Sequence, residues 1–496
     1  MGIRNKRWYL SVSILMVVTL FAVSLMGCEK NGSGLDPQNP VTVTLWHYYT
    51  GDVQSAFEEK IGLFNQTVGI EKGIIVDSVG LGSIMELEEN ITASAKGVIN
   101  SNPMPDIFFS YPDKVLELDE FGVLTDLNQY FSQKEKEEFV EDFLSDAYFS
   151  EGRMLLVPIV KSTENLYVNN TAWSDFCSKQ GLTNYDLRTW ESLYQAARLY
   201  YQETDKETAG VKWDGKSMMG IDSVANYLVV ASRQMGIDIV GGSDENEGRV
   251  ELHRGSLQRI FDIYYNGYSM KYFNSVCRFR SDDVKSGDLI AYTGSSSGAA
   301  YFPTWVEDGS DKKDIDFLAL AYPVFKGGEK YAIQQGAGIC ITNIDEKRVK
   351  GSVEFLKWLN ESDNNLSFAL STGYLPVKKE AYSGDIFNEV IEKLRSSEKS
   401  EKIVGDVYEI VLKQVVNGKT CSTKTFDGSY RARRLLEETL MEVAEEGRKK
   451  ADELKDLYST EDKVIGGLET DLAFVKWLER IEKALNDEEI PFKYVD

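Results

Sequence analysis

Residues 152–173 read GRMLLVPIVKSTENLYVNNTAW. Two β-rich runs, 154–160 and 165–169, flank a polar patch of Lys161, Ser162, Thr163 and Glu164. Pro158 lies inside the first run. Proline cannot donate to a strand ladder, so it marks an edge or an exit from a sheet rather than a central strand. A strand that leaves one sheet, turns polar and enters another is what a chain does when it crosses between two lobes. A hairpin within one domain is the simpler reading of these residues alone, so the flanking sequence has to decide.

Upstream, residues 41–46 (VTVTLW) are β-rich. Residues 53–65 come next, with apolar side chains at Val53, Ala56, Phe57, Ile61 and Phe64, which is helical spacing. Asp52 is the expected N-cap. A second strand is expected over 73–79, a second helix over 84–99 and a third strand over 105–109. Alternating strands and helices imply a parallel sheet with helices on its faces. In such sheets ligands collect beyond the carboxyl ends of the strands. Those ends carry Trp46 and Tyr48 after the first strand, and Ser110, Tyr111 and Asp113 after the third.

Downstream, Thr189 is placed to cap a helix over 190–201. Residues 289–293 read as a strand, followed by the Gly/Ser loop 294–298 with Ser296 and Ser297. Such a loop can offer backbone N–H groups to a ligand. It lacks the Lys of a nucleotide-binding P-loop. A strand over 315–322 ends at Pro323. Gly373 is a natural residue to close the helix before it, and Pro376 prevents continuation. Residues 431–458 carry apolar side chains in an amphipathic helical pattern, and 471–485 form a further helix.

A chain of 496 residues is too long for a single core. Its formal charge of −24 excludes nucleic-acid binding through a general basic field. The N-terminus has a basic stretch (Arg4, Lys6, Arg7), an apolar run to Met26, and then Leu25-Met26-Gly27-Cys28. Residues 1–27 read as a secretory signal and 28–40 as a flexible tether. A single membrane-spanning anchor is the alternative for the apolar run. Cys177, Cys277, Cys340 and Cys421 are far apart, as expected of lone thiols. With two histidines and no HExxH, Cys/His cluster or GxSxG, no metal, cofactor or catalytic residue is expected.

The ordered set VTLWHYY, PDIFFSYPDKVLELDEFGVLTDL, GRMLLVPIVKSTENLYVNNTAW, GGEKYAIQQGAGICIT, VEFLKWLN and STGYLPVKKEAY, behind a lipobox-like LMGC, resembles the extracellular solute-binding proteins of bacterial ABC importers, in the sugar-binding branch. The resemblance runs from about residue 41 to about residue 450. It implies an α/β, two-lobe periplasmic-binding-protein-like fold, each lobe a mainly parallel sheet flanked by helices. Lobe one is expected at 41–160 plus 320–370, and lobe two at 161–319 plus 371–496. Hinge crossings are expected at 158–162, 320–323 and 373–377. Lipid on Cys28, a carbohydrate ligand, a membrane permease as partner and a monomeric state are implied too. By position, the resemblance places Trp46, Tyr48, Ser110, Tyr111, Asp113, Ser162, Glu164, Ser296, Ser297, Trp305, Gln335, Gly336, Phe426 and Asp427 around the ligand. The competing class is a secreted glycosidase, which needs two carboxylates flanking one bond. A surface lipoprotein for a non-sugar solute is the other.

Overall fold

The computed structural model describes residues 34–208, 210–241, 248–309, 311–382 and 386–495. The expected signal segment, Cys28 and tether residues 28–33 lie outside the described residues. The rest of the tether forms a turn, with the Asn39 N–H donating to the Asp36 carbonyl at 3.0 Å and Leu35 packed on the first core.

The chain opens with β1 (Val41–His47), α1 (Gly51–Gln66), β2 (Ile74–Gly80), α2 (Ile84–Ala95), β3 (Ile107–Ser110) and α3 (Pro112–Asp119). Helix α1 buries Phe57, Ile61 and Phe64, the face its spacing predicts. Asp52 lies in its first turn, and Thr50 occupies the cap position. Next along the chain are β4 (Val157–Pro158), β5 (Val160–Lys161), β6 (Glu164–Asn169), β7 (Met219–Ile221), α4 (Val224–Gln234), β8 (Ala291–Ser295), β9 (Phe317–Ala321), β10 (Gly338–Ile341), β11 (Leu375–Pro376) and α5 (Ser429–Leu457).

Two sheets organise these elements. The first has the order β2-β1-β3-β10-β4. Strand β1 runs parallel to β2 and β3, while β10 is antiparallel to both β3 and β4. The second has the order β9-β6-β8-β7, and only its β7–β8 pair is parallel. The mixed α/β fold is the expected one, but mainly parallel pairing is confined to the β2–β1–β3 half of the first sheet. In the second sheet β6 arrives directly from a crossing segment and pairs on both sides with strands that run back against it. Parallel pairing needs a long crossover between neighbours.

Two apolar cores fill the molecule, and the second sheet has one face on each. Val43, Leu45, Phe57, Phe108, Ile339 and Leu356 belong to the first. Leu166, Val168, Trp190, Tyr227, Phe261 and Trp477 belong to the second. Helix α5 lays Leu435, Leu436, Leu440, Val443, Ala444 and Ala451 on the second core. The opposite face of the second sheet, where Tyr167 stacks on Tyr292 at 5.0 Å, adjoins the helix Lys399–Asn417.

The chain passes between cores beside residues 160–164. Ser162 and Gln335 exchange both backbone hydrogen bonds at 2.9 Å, and β5 pairs with β11. Tyr322, Phe325 and Ile333 pack in the second core, and Ala337 and Ile339 in the first. Strand β9 ends in the second sheet at residue 321 and β10 begins in the first at 338, so the chain returns between these two strands. Pro323 comes just after β9, but the buried Gln234 side chain keeps residues 323–325 in the second lobe. Its Nε2 donates to the Pro323 carbonyl and its Oε1 accepts from the Phe325 N–H, both at 2.9 Å. Gly336 has φ +131, and a Cβ there would meet the Val160 carbonyl oxygen at 2.8 Å. Only glycine lets the two crossing segments lie so close.

Among the described residues no helix is long and apolar enough to cross a membrane.

Candidate functional site

Local sequence sets three walls facing one another at the crossing. At the end of β3, Ser110 turns into α3, with Tyr111 at the cap position and Pro112 in the first turn. Proline is pre-shaped for that place, and the turn carries Tyr111 and Asp113 to the sheet edge. On the second lobe the Ser223 hydroxyl caps α4 by accepting from the Asn226 N–H at 3.2 Å, which fixes Asn226 one turn in. Gly428, at φ +86, starts α5 and aims Tyr430, Arg433 and Arg434 at the same space.

These walls enclose a cavity of about 340 Å³. It is lined by Tyr111 and Asp113 from the first lobe and by Glu164, Gln334, Gln335 and Gly336 from the crossing. The second lobe supplies Asp222, Ser223, Asn226 and Ser295, with Tyr430, Arg433, Arg434 and Glu437 from α5.

A chain of polar contacts spans the cavity. Arg433 Nη1 stands 3.8 Å from Asp113 Oδ2, an ion pair too long for a hydrogen bond. Arg433 Nη2 donates to Asn226 Oδ1 at 3.0 Å. Asn226 Nδ2 donates to Glu164 Oε1 at 2.7 Å, and Gln335 Nε2 approaches the same oxygen at 3.5 Å. Beneath them the Asp146 carboxylate accepts from Lys161 Nζ at 2.7 Å and Gln334 Nε2 at 2.5 Å. Three buried atoms in this network have no hydrogen-bond partner: Asp113 Oδ2, Glu164 Oε2 and Arg433 Nε. Burial pushes the Glu164 carboxyl up to about 8 against the Asn226 hydrogen bond, with Asp222 adding to the rise. Burial raises Asp222 as well, opposed by Arg280. Near neutral pH Glu164 therefore holds a proton and can donate as well as accept.

Of the residues expected at the site, Tyr111, Asp113, Glu164, Gln335 and Gly336 line the cavity. Ser162 adjoins them through its pairing with Gln335. The others are used elsewhere. Trp46 is 7% exposed in the first core, because the side chain of a strand interior points into the layer beneath. Tyr48 packs on Tyr49 and Phe109, with ring centroids at 4.9 and 5.7 Å. The Ser110 hydroxyl donates to the Tyr111 carbonyl at 3.1 Å. Ser296 accepts from the Thr163 N–H at 3.1 Å, and the Ser297 hydroxyl pairs with that of Ser295 at 2.9 Å. The Gly/Ser loop is thus a short 3-10 helix stitched to the crossing, and Ser295 is its cavity-facing member. Trp305 lies on a two-stranded hairpin with Lys312 Nζ 3.8 Å from its ring centroid. Phe426 is buried in the second core against Gly248, and Asp427 is exposed at the turn before α5.

Sequence reasoning missed Asp222, Asn226, Tyr430, Arg433, Arg434 and Glu437. A usable signal was the pair Arg433-Arg434 opening an amphipathic helix in so acidic a chain. Among the described residues no group of three or more His, Cys, Asp or Glu side chains is placed to hold a metal ion. The four cysteines 177, 277, 340 and 421 are free thiols.

A family model described as bacterial extracellular solute-binding protein matches residues 84–392, more than half of the chain. The chain belongs to that family. Among curated proteins it is similar to the sn-glycerol-3-phosphate-binding periplasmic protein UgpB of Shigella dysenteriae serotype 1 and of Escherichia coli K12. Each is 23% identical over 376 residues, covering 70% of this chain and 76% of the relative. Among solved structures it is similar to the cyclic alpha-maltosyl-1,6-maltose binding protein from Arthrobacter globiformis. That match has a TM-score of 0.64 and 16% identity, over 90% of this chain and 100% of the other. UgpB from Mycobacterium tuberculosis, solved with glycerophosphocholine, also matches with a TM-score of 0.64, at 18% identity over 91% of this chain and 100% of that one. These structural likenesses carry the fold and agree with the family seen in the sequence.

Proposed function

We propose that this solute-binding protein captures a neutral carbohydrate, an oligosaccharide, between its two lobes and hands it unchanged to the permease of an ABC importer. It acts as a monomer, anchored outside the cytoplasmic membrane by lipid on Cys28. The two sheets correspond to the two lobes, and the paired segments at Ser162 and Gln335 are the hinge. The observation that carries the reading is the set of unpartnered atoms on Asp113, Glu164 and Arg433, from both lobes and the crossing, around one cavity. Each costs about 1–3 kcal/mol if left unsatisfied, and sugar hydroxyls both donate and accept. Tyr111 and Tyr430 supply aromatic surface for the apolar face of a ring.

The relatives divide, by their names, between sugar ligands and glycerol phosphodiester or monoester ligands. The charge of the cavity favours the first class. Asp113, Asp146, Asp222 and Glu437 face it against Arg433 and Arg434, while Glu164 is protonated near neutral pH. A phosphate would meet more carboxyl than guanidinium groups.

Titration calorimetry against a panel of oligosaccharides, sn-glycerol 3-phosphate and glycerophosphocholine tests this, with the recovered ligand checked by mass spectrometry. The reading expects a sugar to bind and to be recovered intact. Binding of the phosphate compounds alone, or cleavage of the sugar, would overturn it.

A further inference from the structure

A second cavity, of about 440 Å³, opens beside the first and shares Tyr430 and Arg434 with it. Its far wall is helix α2, through Met85, Glu88, Glu89, Thr92 and Ala93, with Lys96 just past its end, and Lys114 of α3 closes one side. Both volumes fall in the range of small-molecule sites, about 300–1,000 Å³.

Two features mark this groove as built for a ligand. Glu88 is 8% exposed, and its Oε1 has no hydrogen-bond partner. One turn further along α2, the Thr92 hydroxyl is also buried and unpartnered. Helix positions four apart lie on one face, so the two orphaned groups share the wall. Burial moves the Glu88 carboxyl up to about 7, against the pull of Lys114, so near neutral pH it serves as donor or acceptor. The nearest cations stand beside carboxylates outside the groove. Lys114 and Lys96 pair with Glu117, and Arg434 with Glu438 at 3.0 Å. The groups left unsatisfied are a carboxyl and a hydroxyl, the complement of alcohol groups. Met85, Ala93 and the Tyr430 ring give apolar surface beside them.

We propose that this groove is a flanking subsite that takes a further hydroxylated ring of the same oligosaccharide, with Glu88 and Thr92 bonding its hydroxyls and Tyr430 forming the partition between the two rings. The proposal rests on the sugar-binding reading above. It makes the protein a selector of chain length: a short sugar fills the main cavity alone, and a longer one reaches α2.

The test measures affinities of gluco-, xylo- and galacto-oligosaccharides of one to four units on the whole mature chain and on two variants. Thr92→Val keeps the shape and removes the hydroxyl. Ala93→Phe obstructs the groove. For the series that binds, the longer members should bind more tightly to the wild type. Thr92→Val should weaken the longer members about fivefold, one hydrogen bond's worth, and leave the shortest binder unchanged. Ala93→Phe should abolish the dependence on length, with melting temperatures confirming that both variants fold. Sugar binding that does not depend on length, or equal effects of the variants on all lengths, overturns the subsite and leaves the sugar reading standing. A wild type that binds no sugar overturns both.

Discussion

Replacing Arg433 by Met removes the guanidinium while keeping most of the stem. In the empty protein this costs little. The side chain is 27% exposed and its ion pair with Asp113 is long, at 3.8 Å. Asp113 is only 6% exposed, so losing its cation costs about 1 kcal/mol, at the top of the range for exposed pairs and short of that for a closely bonded buried pair because of the 3.8 Å separation. Asn226 Oδ1, which loses a donor, faces a cavity that water can enter. Binding is another matter. Arg433 Nε is buried without a partner, and a hydrogen bond to a charged group contributes about 1.5–3 kcal/mol. At about 1.4 kcal/mol per factor of ten, the variant should bind sugar roughly 10- to 150-fold more weakly. Calorimetry gives the affinity, and thermal unfolding of the unliganded variant gives the control, expected to move by about 2 °C or less. An unchanged affinity would refute the placement of Arg433 at the ligand. A loss of affinity matched by a collapse in melting temperature would refute the division between binding and folding.

Glu164 predicts a pH dependence. Its carboxyl titrates near 8 in the folded protein, against an ordinary value of 4.5, so the folded state holds the proton more tightly than the unfolded chain. Stability from this group is present below the unfolded value and declines as pH rises from about 4.5 to 8. Glu164→Gln should therefore gain stability relative to the wild type between pH 5 and pH 8 in urea unfolding, and a constant difference would contradict the assignment. Gly336→Ala should destabilise by about 1–3 kcal/mol, because it combines a left-handed φ with a Cβ pressed on the Val160 carbonyl; wild-type urea stability would count against it. Cys28→Ala should abolish labelling by radioactive palmitate and leave the precursor uncleaved, and normal labelling would refute the lipid anchor.

The parts of the fold that were legible in the sequence are those governed by local rules. The spacing of Phe57, Ile61 and Phe64 announced α1, Thr189 caps its helix by accepting from the Ser192 N–H at 3.2 Å, and Gly373 ends one at φ +74. Resemblance supplied the two-lobe order; Ser162 lies in the first crossing it named, whereas Gln335, which pairs with it, lies outside the named crossings. The features that escaped depend on distant partners. Pro323 reads as an exit from a lobe, but Gln234, 89 residues away, holds its carbonyl. Trp46 and Trp305 read as sugar platforms; one is buried under its sheet and the other is stacked with Lys312 on a hairpin. Arg433 and Arg434 sit on a helix that looks like a solvated surface element until α5 is seen lying across the cleft. Local pattern tells which face of a helix is apolar. It does not tell what the polar face meets.

The account stands on two lobes closing around a sugar. Small-angle X-ray scattering of the mature chain, empty and saturated with the sugar that calorimetry selects, tests that directly. Lobes that turn about short paired segments can exchange open and closed forms, and a ligand touching both walls favours the closed form by its differential affinity. The radius of gyration should fall on saturation, and the fall should be lost in Arg433→Met at the same sugar concentration. An unchanged radius with the binding site demonstrably full would contradict the account.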